Sequence, residues 1–287
     1  MNKKEILCKK ALKLPGLKIA AILLVLIAVS CQGPVDKKEG KEALEGTFRL
    51  RSAVLNEERT CLFKLPGSYR EDPHKRYPVL ILLDGGVHYT TTLKALDSLN
   101  ATAKGTGPEM IVIAIENVDR ERDFTVTKIK TKRENTMGGG KRFLDFIEKE
   151  LIPIVDEQYR TKPQRIFVGH SLGGLLGVNA FMDEKRIFEG YICMDPSIWW
   201  DEEVLEVKVA AIHPEAFRKK LYIATANQGE AKKGKNKDRH EMLYRSMQEQ
   251  SAFPSNIKWQ YFQEEDHRSI PRVAIYEGLK FLYPEQQ

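Results

Sequence analysis

Arg165-Ile166-Phe167-Val168-Gly169-His170-Ser171-Leu172-Gly173-Gly174 is the stretch on which the reading of this chain turns. Its first four residues are strand-like and mostly apolar. From Leu172 to Met182 the pattern changes to helical, with Leu175, Leu176, Val178 and Phe181 forming a stripe. Between strand and helix lies Gly-x-Ser-x-Gly. A serine placed there sits on a turn so tight that its backbone is strained, and glycines two before and two after it remove side chains that would collide with the strand or the helix. The motif therefore puts the Ser171 hydroxyl, exposed, at the end of a sheet, where it can act as a nucleophile. The competing reading is a glycine turn with no chemistry in it.

Outward from this turn, short β-rich runs bounded by turn residues predict eight strands: Thr47–Leu55, Thr60–Leu65, Pro78–Asp84, Met110–Ile115, Arg165–Val168, Tyr191–Met194, Leu221–Ala226 and Ile257–Phe262. Val79 to Leu83 and Ile111 to Ile115 are unbroken apolar runs, as expected of strands covered on both faces. Helical stripes lie between them: Phe143, Phe146, Ile147, Leu151, Ile154 and Val155, and later Val273, Tyr276, Leu279, Phe281 and Leu282. The first two strands read as an antiparallel hairpin. After them strands and helices alternate, which predicts an α/β fold: a mostly parallel, twisted sheet of about eight strands with helices on both faces.

The first thirty residues read as a targeting segment. Lys3, Lys4, Lys9, Lys10, Lys13 and Lys18 precede an uncharged apolar run, Ile19 to Val29, too short for a comfortable membrane span of roughly 20 residues. The run ends in Ala28-Val29-Ser30-Cys31, which resembles a bacterial lipobox. Residues 1–30 are thus expected to be a lipoprotein signal peptide, Cys31 the lipidated residue, 31–46 a polar flexible tether and 47–287 the folded domain. The expected location is the lipid-anchored cell envelope, with the domain in the periplasm or at the cell surface; Gln32 stands where an aspartate would suggest inner-membrane retention, which favours the outer membrane without deciding between the two. The six lysines and Glu5 in this segment account for five of the six net positive charges of the 287-residue chain, and a nucleic-acid partner loses its main support. Cys61 and Cys193 lie in predicted strands, as buried thiols or as a bridge. No spacing suggests a metal site, and no cofactor is required.

Ser171 needs a base. Of the downstream histidines, His213 precedes a proline and His240 heads an amphipathic helix, where it reads as a surface residue. His267 follows the last strand and precedes the last helix, so it is the expected base. The acid is sought after the preceding strand, Leu221–Ala226. Glu230 is the better placed and Asp238 the alternative, and a Ser–His pair without an acid stays open. Two N–H donors are needed for an oxyanion: that of Leu172, next to the nucleophile, and one from Asp84-Gly85-Gly86-Val87-His88, where Gly86 is chosen over Gly85.

Several blocks taken together resemble the esterase D-like branch of the α/β-hydrolases, which includes ferric-siderophore, feruloyl and S-formylglutathione esterases. The blocks are Tyr77 to Gly85, Asn117 to Thr125, Phe143 to Arg160, Val168 to Gly174, Asp195-Pro196-Ser197-Ile198-Trp199-Trp200 and Asp266 to Pro271. The resemblance spans about Thr47 to Tyr283 and implies the α/β-hydrolase fold. It implies the Ser171–His267 pair and Gly86 in the oxyanion hole, with Trp200 and Arg120 as substrate contacts. Val126 departs from the common pattern, which has proline there. Residues Arg120 to Arg142, with Arg122, Lys128, Lys130, Lys132, Arg133 and Lys141, read either as a solvated charged loop or as a basic rim for an anionic ester.

The expected activity is serine carboxylic-ester hydrolysis on a carbohydrate, aryl or siderophore ester. Acyl transfer by the same residues and a non-catalytic glycan- or siderophore-binding module are the alternatives.

Overall fold

The computed structural model of the chain describes residues 43–102, 108–130, 135–183, 187–200, 202–229 and 235–284. The expected signal peptide, Cys31 and most of the expected tether lie outside the described residues.

All eight expected strands are present: β1 Glu45–Ser52, β2 Glu57–Lys64, β3 Tyr77–Leu82, β4 Ile111–Ile115, β5 Thr161–His170, β6 Gly190–Met194, β7 Lys220–Ala226 and β8 Ile257–Phe262. They form one sheet in the order β1-β2-β4-β3-β5-β6-β7-β8. β1 and β2 pair antiparallel, as does β2 with β4, and all later pairs are parallel. This is the α/β-hydrolase fold. β1 starts at Glu45, so the last two residues of the expected tether belong to the sheet: Glu45 pairs with Lys64 across the hairpin.

The unbroken apolar runs have the cause inferred for them. Every residue of β3, β4 and β6 is buried. Along a strand, side chains alternate between faces. Val79 and Ile81 therefore join the core beneath one helical layer, while Leu80 and Leu82 join the core beneath the other. On the first face lie α3 (Gly140–Phe146) and α4 (Ile152–Gln158), joined by a π-helical turn at Ile147–Leu151, followed by α5 (Leu172–Phe181), α6 (Glu202–Ala211) and α7 (Lys235–Gln250). The π turn falls just before Pro153, which has no N–H for the helical ladder. On the second face, α1 (Gly85–Thr102) packs against α8 (Pro271–Leu282) through Ala95, Leu96, Leu99, Ala274, Ile275 and Leu279. A short helix, α2 (Arg120–Phe124), follows β4.

Cys61 and Cys193 are buried free thiols. β2 and β6 are four strand spacings apart, about 19 Å, which is well beyond disulfide reach. The optional bridge is therefore ruled out. Burial pushes the Cys61 thiol up to about 12 and raises that of Cys193 further, so neither is a thiolate at neutral pH.

Candidate active site

Three neighbouring strands, β3, β5 and β6, each end in a non-glycine residue with positive φ: Asp84 (53°), Ser171 (59°) and Asp195 (41°). Left-handed backbone costs an ordinary residue energy and persists only where the surroundings enforce it. At Ser171 the enforcement can be traced. Its N–H donates to the Met194 carbonyl of β6 at 2.9 Å, and its carbonyl accepts from Leu175 (2.9 Å) and Ser197 (3.0 Å). Gly169 is required by contact: a Cβ there would lie 2.3 Å from the Gly173 carbonyl oxygen, backbone against backbone. A Cβ on Gly173 would meet Leu83 at 3.4 Å, which is ordinary packing. The first glycine of the motif therefore carries most of the steric demand.

The His267 loop is shaped by Asp266, whose carboxylate accepts the N–H groups of Arg268 (2.7 Å) and Ser269 (2.8 Å). This turn brings His267 Nε2 to 3.1 Å from Ser171 Oγ. On the other side of the ring, Nδ1 is 2.5 Å from Asp195 Oδ2. Ser171 and His267 thus meet as expected, but the carboxylate is a different one. The expected acid, Glu230, lies outside the described residues, and the place it was to take at Nδ1 is occupied by Asp195. Asp238 is on α7 and lines a polar cleft beside Asn227, Gln228 and Asn236.

The physical reason is the position of β6. It pairs directly with β5, the strand that leads into Ser171, so a carboxylate at its end needs no long loop to reach the imidazole. The segments after β7, where the acid was sought, supply amides in place of a carboxylate. Gln228 Nε2 donates to Asp195 Oδ2, and Asn236 Nδ2 donates to Oδ1 at 3.0 Å. The Ala226 N–H adds a third donor at 3.2 Å. Burial alone would raise the Asp195 carboxyl, but the hydrogen bond from His267 and the neighbouring imidazole and amide groups outweigh it, so the group sits below the usual carboxylate range. Asp195 is fully buried and ionised.

The two expected oxyanion donors sit in adjacent turns. In α1, the Val87 and His88 N–H groups both go to the Asp84 carbonyl, leaving Gly85 and Gly86 ahead of the helical ladder. Leu172 opens α5 in the same way. The turns are close: a Cβ on Gly173 would meet the Leu83 and Asp84 side chains at 3.4 to 3.6 Å. Gly85 is held against the end of β4, where a Cβ would come within 2.9 Å of backbone. At Gly86 an added Cβ would meet only a Glu116 carboxylate oxygen, at 3.9 Å, which is ordinary contact.

Two expected substrate contacts are engaged elsewhere. Arg120 Nε donates to Asp84 Oδ1 at 2.7 Å, and its Nη2 reaches both Asp84 Oδ2 (3.1 Å) and the His170 carbonyl (3.2 Å). It therefore braces the turn after β3 against the turn after β5. The Trp200 indole N–H points to the Thr127 carbonyl at 3.4 Å, and its ring is half-buried, whereas Trp199 is 50% exposed. Arg122, read as part of a basic rim, is clamped by Glu57 and Asp123. Lys128, Lys130 and Lys141 remain exposed, and Lys132 and Arg133 lie outside the described residues.

Sequence reasoning missed three further features. Ser197 Oγ lies 3.2 Å from Ser171 Oγ. His240, expected at the surface, is completely buried. Its Nε2 donates to the Pro196 carbonyl (2.7 Å), and its Nδ1 accepts from Thr225 Oγ1 (2.7 Å), which in turn accepts from Trp259 Nε1 (2.8 Å). This chain secures the Asp195–Ser197 segment from behind. His170 packs against His267 (centroids 4.5 Å apart) and His88 (5.1 Å). Burial, with the neighbouring imidazoles, lowers His170 to about 3, so it is neutral, and its Nε2 has no partner among the described residues. Among these residues no cluster of three or more His, Cys, Asp or Glu is arranged to hold a metal ion.

Comparison with known proteins identifies the family. A sequence profile of the family described as "Putative esterase" matches residues 52–269, a span that includes the strand-end turns and His267. The ferri-bacillibactin esterase BesA of Bacillus subtilis is 28% identical over 267 residues, covering 84% of this chain and 91% of that protein. A siderophore triacetylfusarinine C esterase of Aspergillus fumigatus is 30% identical over 132 residues, covering 43% of this chain and 45% of that one. Among solved structures, an IroE-like serine hydrolase from Shewanella oneidensis superposes with a TM-score of 0.75 at 30% identity, over 83% of this chain and 80% of that one. The chain belongs to this esterase family and is a carboxylic-ester hydrolase.

Proposed function

We propose that the chain cleaves its ester through an acyl-enzyme on Ser171, with His267 as base and then acid, and Asp195 as the carboxylate that fixes the imidazole. The observation that carries this reading is the unbroken row Ser171 Oγ, His267 Nε2 (3.1 Å), His267 Nδ1, Asp195 Oδ2 (2.5 Å). An ionised Asp195 keeps the proton on Nδ1, so Nε2 presents its lone pair to the serine. As Oγ attacks the ester carbon, its proton passes to Nε2, and the imidazolium that forms is stabilised by Asp195. The carbonyl oxygen becomes an oxyanion facing the N–H groups of Leu172 and Gly86. Collapse of the tetrahedral species expels the alcohol with the proton from Nε2. Water, deprotonated by the same nitrogen, then releases the acid and restores Ser171.

For the substrate, the reading is a siderophore ester: an aryl-bearing or anionic ester or lactone. The names of the two esterase relatives support it, as does the exposed Trp199 beside Trp200, which is held by the Thr127 carbonyl next to the exposed Lys128 and Lys130. The lysine-rich start, the short apolar run and Ala28-Val29-Ser30-Cys31 support anchoring in the envelope through a lipidated Cys31.

Ser171→Ala should abolish turnover of short p-nitrophenyl esters, by about 10³-fold or more, with an unchanged melting temperature. Undiminished turnover would overturn the assignment. A panel of siderophore, aryl and acetyl-sugar esters tests the substrate class; preference for acetyl-sugars would overturn the siderophore reading.

A further inference from the structure

Among the described residues Ser171 Oγ has two polar neighbours, and it has one proton to share between them. His267 Nδ1 carries hydrogen toward the Asp195 carboxylate, so Nε2 can only accept, and the Ser171 proton must go to it. Toward Ser197, at 3.2 Å, Ser171 Oγ can therefore only accept, and the Ser197 hydroxyl is the donor. The direction of this hydrogen bond follows from the imidazole tautomer.

Ser197 is also fixed in place. Its N–H donates to the Ser171 carbonyl at 3.0 Å, and the preceding carbonyl, of Pro196, accepts from the fully buried His240 at 2.7 Å. The Ser197 side chain is itself buried, at 7% exposure, so water competes poorly for its proton.

We infer that Ser197 is a catalytic residue whose hydroxyl donates to Ser171 Oγ whenever that atom carries developing negative charge. This rests on the acyl-enzyme reading above. In acylation, Oγ gains charge as its proton moves to His267 and before its bond to the ester carbon is complete. In deacylation the same atom is the leaving group: the bond between Oγ and the acyl carbon breaks, the electron pair stays on Oγ, and the proton returns from His267 Nε2. At both moments the Ser197 O–H faces a partly anionic oxygen, to which hydrogen bonds are roughly twice as strong as to a neutral one. Within the resting acyl-enzyme Oγ is an ester oxygen and a poor acceptor. The contribution is therefore greater in the transition states than in the ground state, which is the condition for a rate effect. Ser197 keeps its proton throughout, so it adds no group to the proton balance.

The test uses the purified chain and a p-nitrophenyl ester, with the burst of p-nitrophenol reporting acylation and the steady state reporting deacylation. Ser197→Ala should lower both rates, by roughly 10- to 100-fold, with KM changed much less. Ser197→Cys keeps nearly the same shape with a weak donor. It should fold with an unchanged melting temperature and be slowed similarly, so it decides the matter if the alanine variant does not fold. Full rates in Ser197→Ala, or in a folded Ser197→Cys, would overturn the role. Ser171→Ala, run alongside, separates the failures: if it stays active, the acyl-enzyme reading itself has failed, whereas an inactive Ser171→Ala beside a fully active Ser197→Ala removes only Ser197.

Discussion

Two glycines near the nucleophile do opposite work, and a single methyl group distinguishes them. At Gly169 the added carbon would overlap backbone at 2.3 Å, and neither the strand nor the helix can give way. Gly169→Ala should cost more than about 3 kcal/mol, to be read from urea denaturation. At Gly86 the added carbon would come no closer than 3.9 Å to a Glu116 oxygen, so Gly86→Ala should keep its melting temperature within a few degrees. Its methyl would crowd the N–H offered to the oxyanion, and kcat/KM should fall about tenfold or more. The meeting of Ser171 with His267 and the crowded turn at Gly169 were legible because a strand–turn–helix junction and a loop after the last strand are local patterns. Asp195 was not. Hydrophobic periodicity locates strand ends, but it does not say which strand end carries the charge that a distant imidazole will meet. His240 could have been read correctly. Asn236, His240, Leu243 and Met247 follow helical spacing and are all buried, so the histidine lay on the apolar stripe of α7 in plain sight.

At the scale of elements, α2 holds parts of the molecule together and offers little surface. Asp119 caps it by accepting the Arg122 N–H at 3.0 Å. Asp123 pairs with the buried Arg59 of β2, and Arg122 grips Glu57, so the helix is tied to the hairpin. Arg120 extends the tie to the turns after β3 and β5. Removing it leaves the Asp84 carboxylate, 3% exposed, with Asn117 Nδ2 at 2.6 Å as its remaining side-chain donor among the described residues. Arg120→Ala should lower stability by about 2 kcal/mol and kcat more than tenfold, with little change in KM. Lysine should not rescue it, since one ammonium cannot span both Asp84 oxygens and the His170 carbonyl. An unchanged kcat for either variant would contradict the bracing role. The charge pattern of this segment left a solvated loop and a basic rim both open, because sequence shows which charges are present but not which carboxylate folds against which arginine. The strands, by contrast, were all found, because their apolar runs reflect burial on both faces. What was missed lies at strand starts: residues 161–164 of β5, where Lys162 and Pro163 are exposed, residues 57–59 of β2 and residues 45–46 of β1.

The whole molecule should weaken in mild acid through its buried imidazoles. His170, at about 3, and His88 and His240, both lowered by burial, are neutral when folded, while their unfolded counterparts titrate near 6.5. Below that value the unfolded chain binds protons that the folded chain refuses, so stability falls as the pH drops from about 6.5 toward 3. His170 alone should account for about 2 kcal/mol between pH 7.5 and pH 5. Unfolding free energies of the wild type and of His170→Asn at the two pH values would show this as a shallower slope in the variant. Equal slopes would mean that His170 is not held neutral.

The bends at Asp84, Ser171 and Asp195 have a further consequence. Each stores on the order of 1–3 kcal/mol of conformational energy, and each lies at the rim of a different strand of the same sheet. Short peptides bearing the same side chains would relax, and the hydroxyl, imidazole and carboxylate would drift apart. A broad eight-stranded platform is therefore a mechanical requirement of so small a reactive centre. Loosening the packing between those three strands should cost turnover before it costs the fold.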